Sequence, residues 1–348
     1  MRWIRLLFFP FAILYAGITW LRNKFYDWRI FKSAKFSIPI INIGNLSVGG
    51  TGKTPHTAYL IQLLKNDYNL FTLSRGYGRK EPGFSIANED STARQIGDEP
   101  LAYYRQFGKD IGVAVEANRV MGVIEICRNQ PDTNLVLLDD AYQHMAIHAG
   151  LNILITTYSD PYYNDFILPV GNLRELRSGK KRADIIIVSK CPKLSNEAKR
   201  GVVEKINPGK HQQVFFSRIK YGALRSLKTA EKSMISKGQP VILVTAIAQA
   251  NYLKVHLEKF NPILHHFEFN DHYDFKVSDI TKIHNIFDKF VSEKPVIVTT
   301  EKDAMRLEKS SLSEEISAYP WLVQTIDVEI DNEGGFNELV TSYVEKNS

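Results

Sequence analysis

The chain has 348 residues, 44% of them hydrophobic, enough to bury a sizeable core and to build two globular units. Its net charge of +6 is concentrated: residues 1–35 carry Arg2, Arg5, Arg22, Lys24, Arg29, Lys32 and Lys35 against Asp27 alone, so the remaining residues sum to zero. A neutral body behind a basic, greasy N-terminus argues against nucleic acid as a partner and for membrane lipids. Two cysteines, Cys127 and Cys191, without metal-ligand or CxxC spacing exclude a disulfide scaffold and suit a reducing compartment.

From Trp3 to Leu21 one charge, Arg5, interrupts an apolar run close to the ~20 residues that span hydrocarbon. No small-x-small cleavage site follows, which disfavours a signal peptide. A spanning helix is one expectation, and the excess of basic residues on its C-terminal side then places the body in the cytoplasm. Pro10, Arg5 and the three tryptophans Trp3, Trp20 and Trp28 equally suit a helix lying in the membrane plane.

Ile38–Ile43 reads as a short β-branched strand, followed by Gly44-Asn-Leu-Ser-Val-Gly-Gly-Thr-Gly-Lys-Thr-Pro55 and a periodic helix, His56–Lys65. Strand, glycine-rich turn and helix are the context of a phosphate-binding loop (P-loop), although Ser47 stands where the strict pattern wants glycine. Residues Ser47, Val48, Gly49, Gly50, Thr51, Gly52, Lys53 and Thr54 are therefore expected to cradle a nucleotide. Lys53 is expected to bridge the β- and γ-phosphates and Thr54 to hold Mg²⁺. The strand Asn134–Leu138 runs into Asp139 and Asp140, which supply the acidic metal partner, and His144 follows close behind. After the strand Asp184–Val188 the chain reads Ser189-Lys190-Cys191-Pro192, lacking the aspartate of the guanine-reading N-K-x-D motif, which favours ATP over GTP.

Strands and helices go on alternating: Gly112–Val115 with a helix through Asn129, then Leu151–Thr156, Asp184–Val188 and Val214–Arg218. The expected fold is α/β, a doubly wound P-loop sheet with ligands at the strands' C-terminal ends. The polar segment Gly222–Gly238 reads as a linker to a second, smaller α/β lobe, with strands Pro240–Thr245, His265–Phe269 and Pro295–Thr299. The expected division is an N-terminal hydrophobic helix at 1–35, a P-loop core at 36–221, the smaller lobe at 222–322, and a tail at 323–348 that packs back on the core.

Several further stretches stand in a fixed order: Ser74-Arg-Gly-Tyr-Gly-Arg79, Gly97-Asp-Glu-Pro100, Asp139-Asp-Ala-Tyr-Gln-His144, Leu168-Pro-Val-Gly-Asn-Leu-Arg-Glu175, Asn270-Asp-His-Tyr273 and Thr300-Glu-Lys-Asp-Ala304. Together with the loop they resemble the tetraacyldisaccharide 4'-kinases of lipid A synthesis over about residues 1–310. The resemblance implies an ATP- and Mg²⁺-dependent enzyme on the cytoplasmic face of a bacterial inner membrane. It implies transfer to the 4'-hydroxyl of an acylated glucosamine disaccharide 1-phosphate, a lipid A precursor. The family usually reads D-D-G-F-Q-H and D-H-H, where this chain has Ala141, Tyr142 and Tyr273, leaving His272 as the one histidine of the second motif.

For the proton of the accepting hydroxyl, the resemblance points to Asp98 as base, oriented by His272. Read from the residues alone, Asp98 is first a helix-start aspartate ahead of Pro100, and only the resemblance turns the reading toward a base. Arg75, Arg119, Arg174 and His144 are candidates for gripping the sugar phosphate, a task that suits the guanidinium fork. A membrane-tethered P-loop ATPase acting on a protein partner is the alternative reading of the same loop.

Overall fold

The computed structural model describes residues 5–271, 273–308 and 310–348. A 3₁₀ turn at Leu6–Phe8 leads into helix α1 (Phe9–Asp27), with Pro10 in its first turn, where a missing N–H costs no hydrogen bond. The helix outruns the apolar segment by six residues, because Arg22, Asn23 and Lys24 are compatible with helix and Asn23 bonds to Glu175 of the body.

The first half of the molecule is built from β1 (Ile40–Asn45), α2 (Lys53–Leu64), β2 (Leu70–Ser74), β3 (Ser85–Ile86), α3 (Ala93–Ile96), α4 (Asp98–Phe107), β4 (Gly112–Val115), α5 (Arg119–Asn129), β5 (Leu135–Asp139), β6 (Leu151–Thr157), β7 (Ile185–Ser189) and α6 (Asn196–Ile206). The long β8 (Gln213–Ser226) leads out of it, with the short β9 (Lys232–Ser233) folded against it. The second half follows as β10 (Val241–Thr245), α7 (Asn251–Glu258), β11 (Ile263–Glu268), α8 (Val277–Lys289), β12 (Val296–Thr300), α9 (Glu301–Leu307) and α10 (Ser310–Ser317). The chain then returns through β13 (Trp321–Ile330) and ends in α11 (Glu333–Asn347).

All the strands join one sheet in the order β11-β10-β12-β13-β8-β7-β6-β1-β5-β2-β4-β3, with β9 hanging from β8. Pairing is parallel except at β3–β4, β8–β9 and β8–β13. Strands β1, β2, β5 and β7 are buried at every position, as expected for parallel strands covered by helices on both faces.

β8 belongs to both halves. Its first residues pair with β7 and its later ones run antiparallel to β13, with a register shift between Gln324 and Ile326. The expected linker at 222–238 thus begins inside a strand, and the expected tail from 323 begins inside β13. On α11, Phe336, Val340 and Val344 are buried against Ile41, Leu60, Phe215 and Val328 of the first half. The second half has its own core around Ile242, Ile280, Ile283, Phe287, Ile297 and Trp321.

Among the described residues no helix is long and apolar enough to cross a membrane. α1 turns one narrow stripe to the body: Ala12 and Thr19 are buried, the Tyr15 hydroxyl donates to the Arg174 carbonyl at 2.9 Å, and the Asn23 amide donates to Glu175 at 2.8 Å. Phe9, Phe11, Ile13, Leu14, Ile18, Trp20 and Leu21 point away and are exposed.

Candidate functional site: a phosphate-binding cleft between two half-sheets

The register of β1 on β5 pairs Ile43 with Asp139, so the loop leaving β1 and the carboxylates ending β5 emerge side by side at the C-terminal edge of the sheet. In that loop Gly49 and Gly52 take φ values of 107° and 91°, left-handed positions that side chains resist, and α2 starts at Lys53 directly after them. The loop is held from outside. The Asn45 amide donates to the Thr51 hydroxyl at 2.8 Å, the Ser189 hydroxyl to the Thr51 carbonyl at 2.6 Å, and the Lys190 ammonium to the Gly50 carbonyl at 2.6 Å. His56 donates from Nδ1 to the Gly52 carbonyl at 2.7 Å and accepts from the Ser217 hydroxyl at Nε2 at 2.8 Å. Burial lowers its pKa to about 4, which keeps it neutral and fixes that tautomer.

Loop and carboxylates open on a cleft of 560 Å³ lined by Lys53, Thr54, Glu99, Asp140 and Arg174 from the first half. Gln249, Tyr252, Asp271, Thr300 and Lys302 line it from the second. The Thr54 hydroxyl donates to Glu99 Oε1 at 2.8 Å, and Lys302 Nζ donates to the same oxygen at 2.5 Å. Lys53 Nζ lies 3.5 Å from Asp140 Oδ1, which Arg174 also grips at 2.8 Å. Asp139 sits behind, 1% exposed, accepting from the Tyr103 and Thr57 hydroxyls at 3.1 and 3.3 Å.

The electrostatics separate these acids. Burial first, then the charges of Glu99 and Asp140, push Asp139 up to about 7. Burial acts upward on Glu99 and Asp140 as well, but Lys302 and Lys53 hold Glu99 low, and Lys53 and Arg174 hold Asp140 low. Two carboxylates, Glu99 and Asp140, on either side of the Lys53-Thr54 pair suit a divalent cation, whose charge would also relieve the crowding that raises Asp139 behind them. No group of three His, Cys, Asp or Glu side chains is placed to hold a metal by itself among the described residues. The donor set is mixed, Thr54 with Glu99 and Asp140, and leaves positions for phosphate oxygens and water, the coordination Mg²⁺ prefers.

The other expected residues take varied places. Ser47 bridges to Leu173 and Val48 N donates to the Asn172 carbonyl, so this end of the loop is tied to the 165–175 segment. Asp98 opens α4, with its carboxylate 3.6 Å from Arg306 Nε of the second half. His272 lies outside the described residues. Arg119, expected to face substrate, is 3% exposed, and its guanidinium donates instead to the carbonyls of Glu116, Ala117, Asp139 and Asp140, bracing the acidic turn from beneath. Arg75 is exposed at the end of β2. It joins Arg119 and Arg22 of α1 in depressing the half-buried His144, after burial itself.

Three residues of the cleft carried no assigned role from sequence. Glu99 and Lys302 lie in the motifs Gly97–Pro100 and Thr300–Ala304, but only folding brings them together across 203 positions. Lys190 occupies the place of the lysine in N-K-x-D, and it reaches both Gly50 and Gln249.

A family model described as tetraacyldisaccharide-1-P 4'-kinase matches residues 4–345. A tetraacyldisaccharide 4'-kinase of Phocaeicola vulgatus is 40% identical over 98% of this chain and 95% of its own length. One from Flavobacterium johnsoniae is 42% identical over 100% of this chain and 99% of its own. The crystal structure of LpxK from Aquifex aeolicus in complex with ATP superposes with a TM-score of 0.75 at 25% identity, covering 98% of this chain and 99% of that one. On a match spanning nearly its whole length, the chain belongs to the tetraacyldisaccharide-1-P 4'-kinase family.

Proposed function

We propose that the protein transfers the γ-phosphoryl group of ATP to the 4'-hydroxyl of a tetraacylated disaccharide 1-phosphate. The observation that carries the reading is the Lys53-Thr54 loop, facing Glu99 and Asp140 in a cleft closed by a second half-sheet. Loop residues 47–52 supply backbone N–H groups to phosphate oxygens, and Lys53 exchanges Asp140 for phosphate. Thr54, Glu99 and Asp140 would hold Mg²⁺, with Asp139 behind them, and the ion would neutralise charge on the transferred group.

The acceptor oxygen bonds to the γ-phosphorus while the bond from that phosphorus to the β–γ bridging oxygen breaks, and ADP leaves with the electron pair. The hydroxyl proton passes to a carboxylate, and Asp98 is our candidate, oriented by His272. Arg75, Arg174 and His144 are our candidates for gripping the acceptor's phosphate, Arg174 from the lining of the cleft itself. α1, with its exposed apolar face and basic flank, lies along the cytoplasmic face of a bacterial inner membrane, where the acyl chains of such an acceptor would be anchored.

Incubating the purified protein with γ-labelled ATP and the disaccharide 1-phosphate lipid tests the activity. Label should appear at the 4' position; release of inorganic phosphate alone would refute the transfer. Asp98→Ala should lower transfer by about 10²- to 10⁴-fold with ATP affinity changed less than about threefold. Near-normal turnover would remove Asp98 from the role of base.

A further inference from the structure

Every acid lining the phosphate cleft from the first half has a basic partner. Asp140 is taken by Lys53 and Arg174, residues of its own half. Glu99 is taken by Lys302, which arrives from the other half-sheet. That ammonium is placed firmly. It sits in the first turn of α9, whose start is fixed by the Thr300 hydroxyl, which accepts from Asp303 N at 3.2 Å. Fully buried Asp303 in turn binds the Ala246 amide at 3.1 Å and the Arg306 guanidinium at 2.5 Å. Arg306 then reaches Asp98, so α9 is fastened to α4 at two successive acids.

Glu99 Oε1 accepts from both the Thr54 hydroxyl and Lys302, which puts the ammonium two hydrogen bonds from the P-loop hydroxyl.

We infer that Lys302 is a second phosphate-binding lysine, which leaves Glu99 for the γ-phosphate once nucleotide occupies the cleft and stabilises the transferred group from the face opposite Lys53. The inference rests on the kinase reading above. Glu99 is the hinge of the exchange. The terminal phosphate, with more negative charge than one carboxylate, competes with Glu99 for the ammonium by itself, and a divalent cation held by Glu99 would complete the release. A cation delivered by the second half also ties closure of the cleft to the presence of a γ-phosphate, which ADP lacks. The group transferred and the bonds exchanged are those of the proposed reaction, and Lys302 gives up no proton.

The test compares binding of fluorescently labelled ATP and ADP to the full-length protein in EDTA, where no metal contributes. In Lys302→Met, ATP affinity should fall about tenfold, the worth of one charge-assisted hydrogen bond, while ADP affinity changes less than twofold. Lys302→Arg should recover part of the difference. Glu99→Gln should shift ATP binding the other way, tightening it, because it removes a competing anion and leaves the ammonium free for phosphate. Equal shifts for ATP and ADP in Lys302→Met, or parallel losses in Lys302→Met and Glu99→Gln, would overturn the inference and leave Lys302 as a brace for α4. Should the unaltered protein bind neither nucleotide, the kinase reading itself fails, a result distinct from equal shifts.

Discussion

Asp139 carries the sharpest electrostatic conflict in the cleft. It is buried beside two further acids, and the chain satisfies it with neutral hydroxyls, from Tyr103 and Thr57, rather than with a cation. Its folded pKa of about 7 stands above the ~3.9 of an unfolded aspartate. Between those values the folded chain binds a proton that the unfolded chain does not, so stability falls as pH rises from ~4 to ~7. Asp139→Asn removes that dependence. The variant should therefore gain on the unaltered protein as pH rises from 5.5 to 8, by up to about 2 kcal/mol at 1.36 kcal/mol per unit, while losing kinase activity. Urea melts at the two pH values measure it, and a gain that is the same at both would show that Asp139 titrates normally. At this scale the sequence was legible wherever local chemistry announces itself: Lys53, Thr54 and the Asp139-Asp140 pair follow directly from a loop and a strand end. Glu99 and Lys302 were not legible, because each is an ordinary charged residue until the fold sets one opposite the other. Arg119 misled for the converse reason, since an arginine at a helix start reads the same whether it faces substrate or carbonyls beneath a turn.

α1 is an element whose exposed side is more apolar than its packed side. Ala12 and Thr19, the residues it buries, are small, while Phe11, Leu14 and Ile18 are 63%, 63% and 59% exposed. Each large apolar side chain moved into an acyl environment contributes roughly 1.5–3 kcal/mol, so on the proposed membrane contact these three would decide whether the protein stays bound. Replacing Phe11, Leu14 and Ile18 together by serine should release the protein into the soluble fraction on sedimentation and leave its thermal midpoint nearly unchanged, since none of the three is buried in the folded body. Continued pelleting, or a large drop in midpoint, would mean that this face is not the membrane contact. Hydropathy located the element but not its limits. The apolar run stops at Leu21, whereas the helix continues to Asp27, since hydrophobicity reports what is buried or inserted and not where backbone hydrogen bonds end. For the same reason β1 was expected at Ile38–Ile43 and stands at Ile40–Asn45, its last residue already holding Thr51 of the loop.

The molecule as a whole is not two units joined by a tether. Its chain leaves the first half through β8, builds the second, and returns through β13 antiparallel to the same strand, so the second half is an insertion whose far end supplies α11 to the first. Nothing local in Trp321–Ile330 marks it as the antiparallel partner of a strand a hundred residues earlier, which is why the boundary at 323 was drawn through it. The consequence is mechanical. Phe336 is 1% exposed and meets the rings of Tyr59, on the helix that starts at the P-loop, and Phe215, on β8, at centroid distances of 5.9 and 5.3 Å. The phosphate-binding helix is therefore supported by the last fifteen-residue element of the chain. Phe336→Ala should cost about 3–5 kcal/mol, as for other buried aromatics cut to alanine, and should lower the unfolding midpoint of the first half rather than detach a tail. Ending the chain at Ile330 should abolish nucleotide binding even though no residue of α11 lines the cleft. A chain shortened in this way that still bound ATP with unaltered affinity, and unfolded at an unchanged urea concentration, would show that α11 merely rests on the surface it is here held to complete.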